Sequence, residues 1–147
     1  MKIVVIDGQG GRMGKSVIEQ LKKQRPQLEI IAVGTNSIAT SAMIKAGADA
    51  AATGENPVLV NSREADIIIG PIGIVMADSL LGEITPAMAE AVSGSQAYKI
   101  LIPVNRCRHY IAGCAEQPLG VYIKEVVEKV DSLITSHISA PGPDGAA

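Results

Sequence analysis

The chain has 147 residues, of which 47% are hydrophobic and 19% are charged, and its formal net charge is −2. That length suits one domain, and the apolar content predicts a folded globular protein rather than a disordered one. Phe and Trp are absent and only three residues are Tyr, so the core must be aliphatic. The slightly acidic balance and the shortage of aromatic side chains argue against a nucleic-acid partner.

The chain carries no sign of a membrane or secretory address. No apolar run reaches the roughly 18 residues that a membrane span needs, and strand-like residues begin directly after Met1, where a signal peptide would stand. We therefore expect a cytoplasmic protein with no membrane partner, in which Cys107 and Cys114 are reduced thiols. Because a short chain with this much apolar surface leaves part of it uncovered, we also expect a homo-oligomer.

A glycine-rich loop follows the first predicted strand. The strand covers Lys2–Ile6, the loop reads Gly-Gln-Gly-Gly-Arg-Met-Gly over Gly8–Gly14, and a predicted helix runs from Arg12 to Gln24. Glycines let the backbone turn tightly and approach a phosphate closely. The N–H groups at the start of the helix then favour negative charge. The sequence thus predicts a phosphate site at Gly8, Gln9, Gly10, Gly11, Arg12 and Met13.

Apolar runs and helical patterns alternate along the rest of the chain. Further strands are predicted at Leu28–Val33, Ala48–Ala52, Asp66–Ile69 and Ile100–Val104. Helices are predicted from Asn36 or Ser37 to near Gly47, over Pro57–Glu64 after an Asn56 cap, from Thr85-Pro86 to Val92, and over Gly120–Thr135. For Val58-Leu59-Val60 a strand is the alternative.

Strands that are apolar throughout and separated by helices predict an α/β fold. We expect a Rossmann-like, doubly wound parallel sheet with three αβα layers, in a single domain over residues 1–137. The Pro-, Gly- and Ala-rich residues 138–147 are expected to form a disordered tail.

In such a sheet a ligand binds beyond the carboxyl ends of the strands. After the first strand these ends are Gly34–Ser37, Gly70–Gly73 and Asn105–His109, all polar or glycine-rich. One ligand could contact them together with the glycine loop. The additional candidates for contact with a cofactor are Thr35, Asn36, Ser37, Gly70, Pro71 and Asn105.

Two observations about acidic residues bear on which ligand binds and how. No Asp or Glu follows the second strand, where an NAD site has an acid for the ribose hydroxyls, so NADP(H) is slightly favoured over NAD(H). Asp7 directly precedes the loop and would repel a diphosphate unless it is protonated, turned away or bridged by a cation such as Mg²⁺. Its alternative role is local capping of the loop amides. Asp78 and Glu83 have a spacing that matches no recognisable acid/base pair.

The run Asn105–Tyr110 contains the densest group of reactive side chains. Arg106 and Arg108 could pair with a phosphate or carboxylate and would lower the pKa of the Cys107 thiol. Cys107, His109 and Cys114 match no established zinc spacing, so no metal is expected. A polar ligand loop or a subunit contact is favoured over a catalytic cysteine.

The glycine loop resembles the coenzyme loop of dihydrodipicolinate reductases, which carry the same G-x-G-G-R-M-G run after their first strand. The resemblance covers the first strand, the loop and the first helix. It implies that Gly8, Gly11 and Gly14 shape the loop and that Arg12 and Met13 contact the coenzyme. The separate substrate domain of that family, and its catalytic histidines and lysine, have no counterpart here.

Across its whole length the chain is similar to a family of short bacterial proteins of unknown function. The similarity lies in the segments Val5–Gly11, Ala46–Asp49, Ile68–Gly73 and Ile102–Asn105. This resemblance implies a Rossmann-like fold and supplies no reaction.

The leading hypothesis is a protein that binds a nucleotide or dinucleotide through Gly8–Gly14. A first alternative is a non-catalytic regulatory or scaffold subunit with a vestigial or sensing nucleotide site. A second alternative is a small enzyme that uses Cys107 with Arg106 and Arg108 on an anionic substrate.

Overall fold

The computed structural model describes residues 1–104 and 108–139, with side chains described to residue 137. Asn105, Arg106, Cys107 and residues 140–147 lie outside the described part, and so do the expectations placed on them. The strands are β1 (Lys2–Asp7), β2 (Glu29–Gly34), β3 (Ala50–Thr53), β4 (Ile67–Pro71) and β5 (Tyr98–Ile102). The helices are α1 (Arg12–Gln24), α2 (Ser37–Lys45), α3 (Glu55–Glu64), α4 (Pro86–Ser93) and α5 (Leu119–Ser139), with a short 3₁₀ helix at Ile72–Val75.

The five strands form one parallel sheet in the order β3-β2-β1-β4-β5. In the central strand, Val4 pairs with Ile31 of β2 on one side and with Ile68 of β4 on the other. The chain first winds from β1 toward β3 and then returns past β1 to β4 and β5. The predicted α/β fold with a Rossmann-like parallel sheet in a single domain is therefore confirmed. The ligand crevice of such a sheet lies where the winding direction reverses, next to the carboxyl end of β1.

Side-chain alternation along β1 builds two aliphatic cores, because successive residues of a strand point to opposite faces. Ile3 and Val5 pack with α1, α2 and α5, whereas Val4 and Ile6 pack with α3, α4 and the 3₁₀ helix. The helices thus cover both faces, which gives the three layers. Tyr122 is the one aromatic side chain buried in the described core.

Several sequence predictions hold at the level of single residues. Helix α1 has the predicted bounds, and its buried side chains are those expected: Met13, Val17, Ile18 and Leu21. Asn36 caps α2 by accepting a hydrogen bond from the amide of Ala39 over 2.9 Å. Thr85 caps α4 in the same way, from the amide of Met88 over 3.2 Å.

Several element boundaries differ from the prediction, and two of them have a clear physical reason. Helix α3 begins at Glu55 after Gly54, so Pro57 is its third residue rather than its first. Proline is tolerated there because the N–H groups of a first helical turn have no partner within the helix. The last strand ends at Ile102 rather than Val104, since β5 keeps pairing with β4 only as far as Ile102 opposite Pro71, and Pro103 has no N–H to donate.

Helix α5 begins at Leu119 and continues to Ser139, past the predicted end at Thr135. Its buried residues include Ile123, Val126, Val127 and Val130. Across the described residues, none of the helices combines the length and the apolar character that crossing a bilayer requires.

Candidate functional site

A cleft of about 380 Å³ opens at the carboxyl edge of the sheet, beside β1 and β4. The glycine loop forms one wall with Asp7, Gly8, Gln9, Gly10, Gly11, Arg12 and Met13. The opposite wall is apolar and consists of Pro71, Leu80, Val104 and Leu119. Its volume is at the lower end of the range for small-molecule sites, roughly 300–1,000 Å³. The cleft lies where ligands bind in doubly wound folds.

The loop has its shape because two of its glycines allow close packing. Gly11 has a φ of +70°, and a Cβ built there would lie 2.7 Å from the Cα of Ala39. Gly14 lies against the side chains of Met43 and Asp7. Only glycine combines the left-handed conformation with such contacts. The amino end of α1 is therefore drawn against α2, and its N–H groups face the sheet edge.

Asp7 binds the loop from inside. Its Oδ1 accepts a hydrogen bond from the amide of Gly8 and its Oδ2 accepts one from the amide of Gly14, both over 2.8 Å. The carboxylate is buried, with 6% of the residue exposed. Burial raises the pKa of Asp7 above 3.8, and the charge of Glu83 adds to this, whereas the hydrogen bonds from Gly14 and Gly8 oppose it. Asp7 thus caps the loop amides, which is the alternative role that the sequence offered for it.

Two amides of loop residues that line the cleft have no acceptor in the described part of the chain. The amide of Gly11 donates to the carbonyl of Gly8 over 2.9 Å. By contrast, the amides of Gly10 and Arg12 have no hydrogen-bond partner among the described residues. The Arg12 side chain is exposed at the first position of α1, and it is in none of the ion pairs between described residues. Two backbone donors and one guanidinium can therefore meet an anionic group here.

A carboxylate from a distant part of the chain lies at the end of β2. Glu83 Oε2 accepts hydrogen bonds from the amide of Gln9 over 2.7 Å and from the hydroxyl of Thr35 over 2.5 Å. Its Oε1 accepts one from the side-chain amide of Asn36 over 3.2 Å. The turn that lacks an acid in sequence therefore has one in space. Glu83 stands out in the sequence as an acidic residue, but no sequence pattern predicts this placement, because Glu83 is 48 positions from Thr35.

The segment that carries Glu83, residues 76–85, crosses the sheet edge between the 3₁₀ helix and α4. We call it the strap. Asp78, Leu80 and Leu81 have φ values of 62°, 54° and 55°, which are unusual for residues with side chains. Leu80 is buried, and the strap closes on itself through the amide of Asp78 and the carbonyl of Ile84, 2.7 Å apart. Strained backbone of this kind persists only where the surroundings hold it in place.

The predicted site residues separate into groups. The six loop residues and Pro71 line the cleft. Thr35 and Asn36 bind Glu83 at the end of β2. Ser37 lies apart, in a shallow depression between α1 and α2 that also contains Lys15 and Lys45. Gly70 is buried within β4 against the carbonyl of Ile6. The structure adds Leu80, Val104 and Leu119 to the cleft lining and places Glu83 beside the loop at Gln9. Leu80, Val104 and Glu83 lie between helices and strands, and Leu119 is the first residue of α5.

The segment Ala46–Asp49, singled out in the sequence, has a structural role. Gly47 ends α2 with a φ of +112°. Asp49 then accepts hydrogen bonds from the amide of Ile30 over 2.8 Å and from Lys22 over 2.6 Å. The Lys22 side chain and the Ile30 amide hold the pKa of Asp49 below its usual value. These contacts join α1, β2 and β3 on the side away from the cleft.

Of the run Asn105–Tyr110, the described part consists of three exposed residues, Arg108, His109 and Tyr110. Cys114 is partly buried. Within residues 1–104 and 108–139, no three His, Cys, Asp or Glu side chains are grouped as metal ligands would be. The roles considered for Arg106 and Cys107 concern residues outside the described part.

A family model described as a domain of unknown function, DUF3842, matches residues 2–135. The chain belongs to this family. The matched range covers all five strands, helices α1 to α4 and most of α5, so the fold described above is that of the domain. No curated protein and no solved structure matches the chain.

Proposed function

We propose that the protein binds a nucleotide or dinucleotide, with a phosphate group of the ligand at the glycine loop. The observation that carries the proposal is the pair of open amides, of Gly10 and Arg12, at the cleft wall beside the amino end of α1. Backbone N–H groups, the positive end of a helix and a guanidinium are the usual partners of a phosphate. The apolar wall opposite suits a base or a nicotinamide ring.

The hydrogen bonds that the loop already makes limit how a phosphate is held. Asp7 already binds the amides of Gly8 and Gly14, and Glu83 binds that of Gln9. A ligand phosphate is therefore expected to use fewer loop amides than the loop contains. We infer a site of moderate affinity that prefers a single phosphate at Gly10 and Arg12 rather than a deeply enclosed diphosphate.

The binding of several loop amides by Asp7 and Glu83 favours a second candidate function. A regulatory or scaffold subunit with a sensing site needs no reacting groups, and a loop whose amides are partly bound by the chain itself suits weak, reversible binding. An enzyme based on Cys107 with Arg106 and Arg108 is a third candidate. Arg106 and Cys107 lie outside the described part of the chain, and Arg108 is exposed. Thiol-alkylation kinetics test it, because a slow, ordinary thiol at Cys107 argues against a nucleophile.

Ligand-dependent thermal stability tests the leading proposal. The unfolding temperature is measured with NADH, NADPH, ATP and coenzyme A in turn. At 100 times Kd a ligand stabilises by about 2.7 kcal/mol, which raises the Tm by roughly 5–10 °C for a domain of this size. No shift with any of the four would contradict the proposal.

A glycine variant ties such a shift to the cleft. A Cβ at Gly10 would have no atom nearer than the Cγ of Arg12, at 3.9 Å, so Gly10→Leu fills the cleft without disturbing the fold. We expect it to abolish the shift while leaving the Tm without ligand nearly unchanged. Gly120→Leu is the matched control, because Gly120 lies in α5 with open space around it and does not line the cleft.

We further propose a cytoplasmic homo-oligomer. Large apolar side chains are exposed on several surfaces, with Leu81 96%, Tyr110 87% and Ile38 69% exposed. Burial of such side chains in contacts between copies would stabilise an assembly. Light scattering at micromolar concentration tests this, and a mass equal to that of one chain would contradict it.

A further inference from the structure

Glu83 is held at the end of β2 by three neutral donors. These are the Gln9 amide, the Thr35 hydroxyl and the Asn36 side-chain amide, at 2.7, 2.5 and 3.2 Å. A carboxylate has about four acceptor positions, two on each oxygen. Counting the described residues alone, Oε2 uses both of its positions and Oε1 uses one, which leaves one acceptor position on Oε1.

The charge of Glu83 is not balanced by a cation among the described residues. The four ion pairs in the described part are Lys2–Glu64, Lys15–Glu19, Lys22–Asp49 and Arg25–Asp131. Asp7 is a second carboxylate on the other side of Gly8, and its interaction with Glu83 is repulsive. The end of β2 is thus an acceptor-rich, negative surface, which favours a hydroxyl donor and disfavours an anion.

The strap fixes Glu83 in this position. Leu80 anchors one side of it in the core and Ile84, 1% exposed, anchors the other. The amide of Glu83 itself donates to the carbonyl of Leu80 over 3.1 Å. The carboxylate therefore does not need to be ordered by a ligand, which reduces the entropic cost of using it in recognition.

We propose that Glu83 selects the sugar of the bound nucleotide: it accepts a hydrogen bond from a free ribose hydroxyl and excludes a ribose 2′-phosphate. This inference rests on the proposed nucleotide site and names its ligand class more narrowly. It reverses the preference for NADP(H) drawn from the sequence, because that preference depended on the absence of an acid beside β2. The acid that reads the sugar comes from the strap after β4 instead.

Calorimetric titration of the full chain with NAD⁺ and with NADP⁺ tests the inference. We expect the wild-type protein to bind NAD⁺ at least about tenfold more tightly than NADP⁺, since a single unfavourable charge contact is commonly a factor of that order. Glu83→Gln removes the charge and keeps an oxygen that can accept from Gln9 and Thr35, so most of this difference should disappear. Glu90→Gln is the matched control, because Glu90 is exposed on α4 away from the cleft.

The outcomes separate the two proposals. If the wild type binds NADP⁺ as tightly as NAD⁺, the inference about Glu83 is wrong and the proposed nucleotide site stands. If a folded Glu83→Gln protein tightens both ligands equally, Glu83 blocks the site rather than reads the sugar, and the inference is again wrong. If neither ligand binds while ATP or coenzyme A does, the dinucleotide sugar is not what Glu83 recognises. Binding of none of them overturns the proposed function itself. If Glu83→Gln fails to fold, the ratio of the wild-type affinities for NAD⁺ and NADP⁺ alone decides whether the inference holds.

Discussion

The Asp7 carboxylate accepts a hydrogen bond from the amide of Gly14 over 2.8 Å, across the whole glycine loop. The two partners are seven positions apart in the sequence, so the bond fixes the distance between the end of β1 and the first turn of α1. A second bond from the Gly8 amide holds the other oxygen. The two bonds tie amides at both ends of the loop to one side chain.

Asp7 should make stability depend on pH in an unusual direction. Because burial raises its pKa above 3.8 in the folded state, the folded chain holds the proton more tightly than the unfolded chain does. The contribution of Asp7 to the free energy of unfolding therefore grows as the pH falls from the raised pKa toward 3.8. The same contribution is lost as the pH rises through the raised pKa. We expect Asp7→Asn to lose this pH dependence and about 1–2 kcal/mol at neutral pH, since a carboxamide cannot accept from both amides.

Urea unfolding of wild type and Asp7→Asn, measured from neutral pH down to about the unperturbed Asp pKa, checks both expectations. The difference in unfolding free energy between the two proteins should widen as the pH falls. A difference that stays constant across this range would show that Asp7 titrates alike in both states.

Gly11 and Gly10 should respond very differently to the same substitution. Gly11→Ala places a Cβ 2.7 Å from the backbone of Ala39 at a φ of +70°, and backbone cannot move aside cheaply. We expect a loss of at least about 2 kcal/mol. Gly10→Ala is the matched control and should stay within about 0.5 kcal/mol of wild type. Chemical denaturation measures both, and equal losses would mean that the loop is not packed on α2 as described.

Asp49 should matter for stability although it is far from the cleft. Asp49→Ala removes the acceptor of the Ile30 amide and of Lys22, so we expect a loss of about 1 kcal/mol at neutral pH. The lowered pKa of Asp49 implies that this contribution is present above 3.8 and is lost as the pH falls through the lower, folded-state value. Glu19→Ala breaks only the exposed pair with Lys15, 3.9 Å apart, and should cost no more than about 0.5 kcal/mol. A larger effect at Glu19 than at Asp49 would contradict this assignment.

Ser62 and Ser95 form a pair with opposite expectations. The hydroxyl of Ser62 is buried and has no hydrogen-bond partner among the described residues. Ser62→Ala should therefore stabilise, by about 1 kcal/mol, because it removes an unsatisfied polar group. Ser95 donates to the Ser62 carbonyl over 2.5 Å and accepts from the Ala97 amide over 3.1 Å, so Ser95→Ala should destabilise by a similar amount. Thermal unfolding of both variants tests the pair, and a destabilised Ser62→Ala would show that its hydroxyl is satisfied in solution.

Leu81 offers a test of strain in the strap. It is 96% exposed and has a φ of 55°, a conformation that Asn adopts more readily than Leu. Leu81→Asn should therefore raise the free energy of unfolding by about 0.5–1 kcal/mol. Ile38→Asn exchanges a similarly exposed residue in the regular helix α2, where Asn brings no gain. If both variants are destabilised alike, the strap is not under backbone strain.

Much of the fold could be predicted because its signals are local. The bounds of α1 follow from the spacing of Met13, Val17, Ile18 and Leu21, and Thr85 is recognisable as a cap from its neighbour Pro86. Predictions of element boundaries failed where contacts elsewhere in the fold outweighed a local sequence signal. Asn56-Pro57 resembles a helix start, but the helix begins earlier at Glu55. The end of β5 depends on its pairing with β4, which sequence patterns of one strand do not contain.

Local sequence patterns were enough to predict the parallel α/β sheet, the glycine loop at its carboxyl edge and the loop residues that line the cleft. Each follows from periodicity or from the conformational freedom of glycine, which act over a few residues. The surroundings of the loop, by contrast, depend on packing in three dimensions. Asp7 turns inward onto Gly14, and the strap brings Glu83 to Thr35. These contacts join residues whose separation along the chain carries no pattern. They arise from the winding of the sheet, which places the end of β1 between segments that are distant in sequence.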